Sequence, residues 1–418
     1  METAVAQAHR QVNAVIVIID GLGDLPVAGL RQRTPLEAAE TPCLDRWASG
    51  GEIGLLDPIG PGIIPHTHSG VGVLMGMHPK YCDQLGRGVV EAAGLGVSIG
   101  TGDVALRCNF GTVESVSDAL AVRDRRAGRI GVGTKSLAEA LNQIELEQGV
   151  RHQFRATSQH RGVLILSGEG LDHRVTDTDP GDHDSSQLIR ICRPLHPDAQ
   201  RTADLVNRFS ERARAILSGH EVNRSREREG LPVANAILMR GAAGSSEIRG
   251  ELSDRNLTSS LVSGCNTVKG LGRLLGMTVL ENSSFTADLE TDLDAKIDAA
   301  ISAMRESRIV FVHVKGPDLC AHDLDPVGKR DFLQRIDVAL RPLTETGALL
   351  AVATDHTTDS NSGRHTADPV PCLISLPDQR HASACSPMNF GETACRNGAL
   401  RRITSRQFLE CILQKISV

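Results

Sequence analysis

The sequence predicts an α/β protein: a doubly wound, mostly parallel sheet with a second α/β domain inserted into it. Three observations carry this expectation. The runs Ala14–Ile19, Ile309–Val314 and Ala348–Ala353 are rich in Val and Ile, with continuous instead of alternating hydrophobicity, as in strands buried on both faces. Helical patterns at Leu293–Arg305 and Lys329–Leu343 precede the second and third runs, so strand and helix succeed each other as in a wound sheet. Each run also stops abruptly at polar residues: Asp20 after the first, Lys315-Gly-Pro-Asp318 after the second, Thr354-Asp355-His356 after the third. In such sheets the functional groups gather in the crevice beyond the carboxyl ends of the strands.

Residues 12–104 and 281–418 are assigned to the sheet domain. After the first strand, Pro61-Gly-Ile-Ile-Pro-His-Thr67-His-Ser69 reads as a Pro-broken loop entering a helix, with Ser69 the better N-cap and Thr67 left free. Residues 105–280 are assigned to the insert, which holds a strand at Val163–Leu166, an acidic loop at 176–184 and a charged run at Arg224–Glu229. The acidic loop resembles a calcium loop only loosely, because position 12 counted from Asp177 is Leu188 where a Glu is needed, so it reads as a solvated turn. The charged run reads as an exposed helical face.

Composition removes several function classes. The chain has 418 residues, 45 basic against 51 acidic, and only 2% aromatics. Both the mild acidity and the shortage of stacking residues argue against a nucleic-acid partner. The longest apolar runs are strand-length, so no membrane partner is expected, and residues 1–11 lack the apolar core of a secretory signal. A cytoplasmic location with reduced, structural thiols is the expectation for the 10 scattered cysteines. Nothing in the sequence sets the oligomeric state.

Asp318 and His322 stand four apart, on one face if that segment is helical, while Asp355 and His356 follow a buried strand and His365 lies in the next Gly/Ser/Asn-rich loop. With Asp20 they make three carboxylates and three imidazoles at one predicted sheet edge. Without cations between them such groups would repel or go unsatisfied, and the mix of N and O donors suits two divalent ions, Zn²⁺ or Mn²⁺. A two-metal site calls for a nucleophile, and the hydroxyls of the 61–76 segment lie where a helix start favours both an ionised alcohol and a bound phosphate.

The order Asp20, Thr67, Asp318-x-x-x-His322, Asp355-His356, His365 resembles that of the alkaline phosphatase superfamily. The surrounding sequence is similar to the archaeal-type 2,3-bisphosphoglycerate-independent phosphoglycerate mutases. The likeness runs through Asp20-Gly-Leu-Gly-Asp24, Thr34-Pro-Leu-Glu-Ala-Ala39, Gly86-Arg-Gly88, Glu91-Ala-Ala-Gly94, Gly102–Phe110, Asp124-Arg-Arg-Ala-Gly-Arg129, Val312-His-Val-Lys315, Asp355-His-Thr-Thr358 and His365 to Pro371. This resemblance implies an alkaline phosphatase-like sheet domain with one metal held by Asp318, His322 and His365. The other metal falls to Asp20, Thr67, Asp355 and His356. It also implies that Thr67 is the nucleophile, that the insert binds a small phosphorylated substrate, and that no 2,3-bisphosphoglycerate is needed. Arg125 and Arg129 are implied as clamps for carboxylate or phosphate, with Arg240 and Lys269 as further candidates.

The implied chemistry is phosphoryl transfer through phosphothreonine, interconverting 2- and 3-phosphoglycerate. Three features depart from the family pattern: Thr in place of the usual Ser nucleophile, Val71 where a His is usual, and no glycine-rich segment near Glu281–Thr286. They leave two alternatives, hydrolysis of another small phosphate or phosphonate ester, and a metal-binding relative without catalysis.

Overall fold

Fifteen strands form among the described residues, which are 12–82, 85–117, 119–157, 159–181, 187–245, 248–381 and 389–416 of this computed structural model. In chain order they are β1 (Ala14–Ile19), β2 (Glu52–Asp57), β3 (Val104–Val116), β4 (Ala119–Asp124), β5 (Arg151–Ala156), β6 (Arg161–Ser167), β7 (Ala236–Ala243) and β8 (Ser259–Val262). They continue with β9 (Thr278–Leu280), β10 (Ile309–Val314), β11 (Leu349–Ala353), β12 (Thr357–Asp359), β13 (Arg364–Thr366), β14 (Val370–Ser375) and β15 (Arg401–Thr404). The chain divides into two units, Met1–Cys82 with Ile248–Val418, and Asp83–Glu247.

The first unit is built on an eight-stranded sheet in the order β15-β2-β14-β11-β1-β10-β8-β9. Its centre is parallel, as the continuous apolar runs require: β1 pairs with β10 on one side and β11 on the other, and every residue of the three is buried. Only the β14 joints to β11 and β2 are antiparallel. The register sets Ile19 beside Val314 and Ile18 beside Ala353, so Asp20, Lys315 and Thr354 leave the sheet at one edge. Helices Leu293–Ala303 and Pro326–Ala339 bury Ile297, Phe332, Leu333 and Ile336 in a core with Val15, Val17, Val312 and Val352.

In the second unit the long β3 pairs antiparallel with β4, β6 and β7, and β5 joins β6. Its own core centres on Phe110, Phe154 and Phe209, the last from helix Gln200–Ser218. The expected strand at Val163–Leu166 lies within β6.

The unit edges differ from the expected 105 and 280. Helix Arg87–Gly94 belongs to the second unit, tied to β3 by Glu91 and Arg107 at 3.8 Å. Residues 248–280 belong to the first, because β8 pairs parallel with β10 and β9 with β8. The acidic loop is not a solvated turn at its centre: Asp179 is buried under Arg125, and Asp177 accepts from the Gly241 amide at 2.8 Å. Residues 182–186 of that loop, Cys385 and residues 1–11 lie outside the described residues. The charged run lies on helix Glu221–Arg228, with Arg224 and Arg228 on Glu221 and Arg226 on the carbonyls of Pro232 and Ala127. No disulfide joins any two of the nine described cysteines, and no helix among the described residues is long and apolar enough to cross a membrane.

Candidate metal centre

Two clusters of ligand-type atoms form at the carboxyl edge of the parallel strands, each within 4.8 Å: Asp318, His322 and His365, and Asp20, Asp355 and His356. Asp20 follows β1, Asp318 and His322 lie on the helix Gly316–His322 after β10, Asp355 and His356 follow β11, and His365 lies in β13. Seven sequence-predicted residues thus meet, with Thr67 Oγ1 3.4 Å from His356 Nε2.

The first cluster consists of converging acceptors. His322 Nδ1 donates to the Gly363 carbonyl at 2.7 Å and His365 Nδ1 to the Pro65 carbonyl at 3.1 Å, so in the neutral rings each Nε2 is a bare lone pair. These two Nε2 atoms face each other at 3.2 Å and lie 3.3 and 3.4 Å from Asp318 Oδ1. Three acceptors at such distances need a cation between them.

The second cluster holds two buried orphans. Asp20 Oδ1 and Asp355 Oδ2 have no hydrogen-bond donor aimed at them, yet lie 3.3 and 3.0 Å from His356 Nε2. Burial lowers the His356 pKa, but Asp355 and Asp20 outweigh it and push it up to about 10. A proton at Nε2 therefore occupies the place a metal ion would take, and the donor set fits a divalent cation. Asp20 Oδ2 is held by His313 Nε2 at 3.0 Å and Lys315 Nζ at 2.8 Å, and Lys315 also reaches Asp318 Oδ2 at 2.6 Å. Burial raises the pKa of both carboxyls, yet the Lys315 charge holds them well below the ordinary range.

Thr67 is the first residue of helix Thr67–Leu74, which favours negative charge on its hydroxyl. Ser69 is not the N-cap. It stands at the third helical position, where its hydroxyl takes the His66 amide at 3.2 Å and returns a bond to the His66 carbonyl at 3.0 Å; His66 is the cap. Gly70 lets this helix approach, since a Cβ there would stand 2.3 Å from the Asp355 carbonyl oxygen. Val71 is fully buried on the apolar side of the helix.

The expected substrate residues are spread over both units. Arg125 grips Asp179 with two bonds at 2.9 and 2.8 Å, and Arg240 approaches the same carboxylate at 3.7 Å, both in the second unit. Arg129 is exposed, at φ 55°. Lys269 pairs with Glu281 at 2.8 Å beside a cavity of about 330 Å³ that Ser263, Asn282 and Phe285 also line. Three residues escaped the sequence reading: His313, Lys315 and Thr358. His313 interrupts an apolar strand and Lys315 follows it, a signal visible in Val312-His-Val-Lys315; Thr358 gave none.

Known proteins resemble this chain over nearly all of its length. The sequence profile described as 2,3-bisphosphoglycerate-independent phosphoglycerate mutase matches residues 48–223. The enzyme of that name from Methanopyrus kandleri is 38% identical over 409 residues, 95% of either chain. The Archaeoglobus fulgidus 2,3-bisphosphoglycerate-independent phosphoglycerate mutase 1 is 37% identical over 97% of this chain and 98% of its own. Among solved structures, a protein of Pyrococcus horikoshii superposes with a TM-score of 0.78 at 26% identity, covering 97% of each chain. The cofactor-independent phosphoglycerate mutase from Thermoplasma acidophilum gives 0.66 at 31%, covering 97% of this chain and 100% of its own. On these identities over nearly its whole length, the chain belongs to the family of 2,3-bisphosphoglycerate-independent phosphoglycerate mutases.

Proposed function

We propose that the chain interconverts 3-phosphoglycerate and 2-phosphoglycerate through a phosphothreonine at Thr67, using two divalent cations, Zn²⁺ or Mn²⁺, and no 2,3-bisphosphoglycerate. The observation that carries the reading is the convergence of acceptors, Asp318 Oδ1 with two imidazole Nε2 atoms and the orphan oxygens of Asp20 and Asp355, beside the Thr67 hydroxyl. Asp318, His322 and His365 are assigned to one cation, and Asp20, Thr67, Asp355 and His356 to the other. When bound, the cations offset phosphoryl charge and lower the pKa of an alcohol.

Thr67 Oγ1 forms a bond to phosphorus as the ester oxygen of the substrate leaves. The proton that Thr67 gives up is matched by the one the departing glycerate hydroxyl takes. The neighbouring hydroxyl of the same glycerate then attacks the phosphothreonine and frees Thr67, so the sum is isomerisation. The helix start at Thr67 favours the dianion. Arg125, Arg129, Arg240 and Lys269 are assigned to the substrate carboxylate and phosphate, a task for which the planar arginine fork is suited. Residues 83–247 are accordingly the substrate-binding unit. The reaction is assigned to the cytoplasm, in keeping with nine described cysteines that form no disulfide with one another.

The test is incubation with 3-phosphoglycerate and Mn²⁺ or Zn²⁺ in the absence of 2,3-bisphosphoglycerate. The 2-isomer is expected without matching release of phosphate. Phosphate with no isomer would reject the mutase in favour of a hydrolase, the outcome if water reaches the phosphothreonine first.

A further inference from the structure

We infer that the Thr358 hydroxyl is a positioning group shared by both cation sites, holding one ligand of each so that the two sites keep or lose affinity together. The inference rests on the two-cation reading above. Thr358 Oγ1 lies 2.9 Å from Asp318 Oδ1 in one cluster and 2.9 Å from His356 Nδ1 in the other. A hydroxyl has one proton to give, and an ionised carboxylate only accepts, so that proton goes to Asp318. Thr358 Oγ1 must then accept from His356 Nδ1–H, which leaves His356 Nε2 for Asp20, Asp355 and a cation. One side chain therefore fixes the tautomer of one ligand and the lone-pair direction of another.

The surroundings hold Thr358 still. Its amide donates to the Gly23 carbonyl at 3.1 Å, and its carbonyl accepts from Lys329 Nζ at 3.0 Å. Lys329 is itself buried and paired with Asp24 at 2.7 Å. In the β12–β13 ladder Thr358 stands opposite His365, a third candidate ligand. Gly21, at φ 65°, makes room: a Cβ there would stand 2.7 Å from Thr358 Oγ1 and 2.9 Å from Asp318 Cβ.

The experiment titrates the metal-free full chain with Mn²⁺ by calorimetry, for wild type, Thr358→Val and Thr358→Ser. Val keeps the branched shape and removes the hydroxyl; Ser restores it. For Thr358→Val both Mn²⁺ equivalents are expected to weaken by about tenfold to a hundredfold, and Thr358→Ser to recover most of that loss. Two Mn²⁺ bound with wild-type affinity in Thr358→Val, or weakening confined to one equivalent, would overturn the inference while leaving the two-cation reading intact. Wild-type protein that binds neither Mn²⁺ nor Zn²⁺ would overturn both. A measurement independent of folding in the variants is ¹⁵N NMR of Zn²⁺-loaded wild type: His356 is expected to carry its proton on Nδ1, and a bare Nδ1 would reject the role.

Discussion

Thr67 and Asp318 stand for the two kinds of work proposed for the centre, one making a bond and the other holding charge. Removing the hydroxyl in Thr67→Ala is expected to cut turnover by at least about a thousandfold. The same variant keeps its metal, because Asp20, Asp355 and His356 remain; steady-state assay and elemental analysis read the two quantities separately. Asp318→Asn replaces a charged acceptor by a neutral one between His322 and His365, 3.3 and 3.4 Å away. It is expected to lose one of two metal equivalents on dialysis. The candidate ligands were legible because a buried parallel strand must end where its polar sequel begins, which marked Asp20, Asp318 and Asp355, and the four-residue spacing marked His322. The partners of Thr358 and His313 were not. Thr358 bonds to Asp318 40 residues away and His313 to Asp20 293 residues away, apart from the nearby His356 bond of Thr358, and no local pattern records such a pairing.

Helix Thr67–Leu74 shows how an element sets a side chain. Its start abuts the strand-end residue Asp355 only because position 70 has no side chain. Gly70→Ala should push the helix start away and cost about a hundredfold in kcat, as a shift of about 1 Å does, with the fold retained by circular dichroism. The short helix Glu392–Cys395 makes another joint. Glu392 accepts from the Asp24 amide at 3.2 Å and from Thr34 Oγ1 at 2.7 Å. Burial lifts its pKa to about 7 from an ordinary 4.5, against the pull of the Thr34 bond. Between those values the folded chain binds a proton that the unfolded chain releases, so this group's contribution to stability falls as pH rises from about 4.5 to about 7. Glu392→Gln should therefore melt higher than wild type at pH 8, and the gap should close by pH 5. The Ser259–Val262 strand was read as part of the insert because four residues beginning Ser-Ser carry too little apolar pattern to announce a parallel strand, whereas the six-residue runs announce themselves.

At the scale of the molecule, the first unit closes on itself where the second is inserted. Met77 bridges to Gly250, and the Glu251 amide donates to the Gly76 carbonyl at 2.8 Å, so the chain leaves and re-enters at adjacent points. Replacing residues 83–247 by a short Gly/Ser linker is expected to give a folded protein that binds two metal ions yet yields no 2-phosphoglycerate; a cooperative melt, elemental analysis and the isomerase assay check the three parts. The central position of β1 has a further meaning for biosynthesis. Its neighbours are β10 and β11, and roughly 330 residues separate Ile19 from Ala353. At about 5–20 residues per second a ribosome needs roughly 20 to 70 s to cover that stretch. The second unit, whose strands lie close together in the chain, emerges whole in the meantime, while six consecutive apolar residues wait at the amino end for partners not yet translated. Among the described strands the first made is among the last to be shielded, and a holding chaperone has its natural target there.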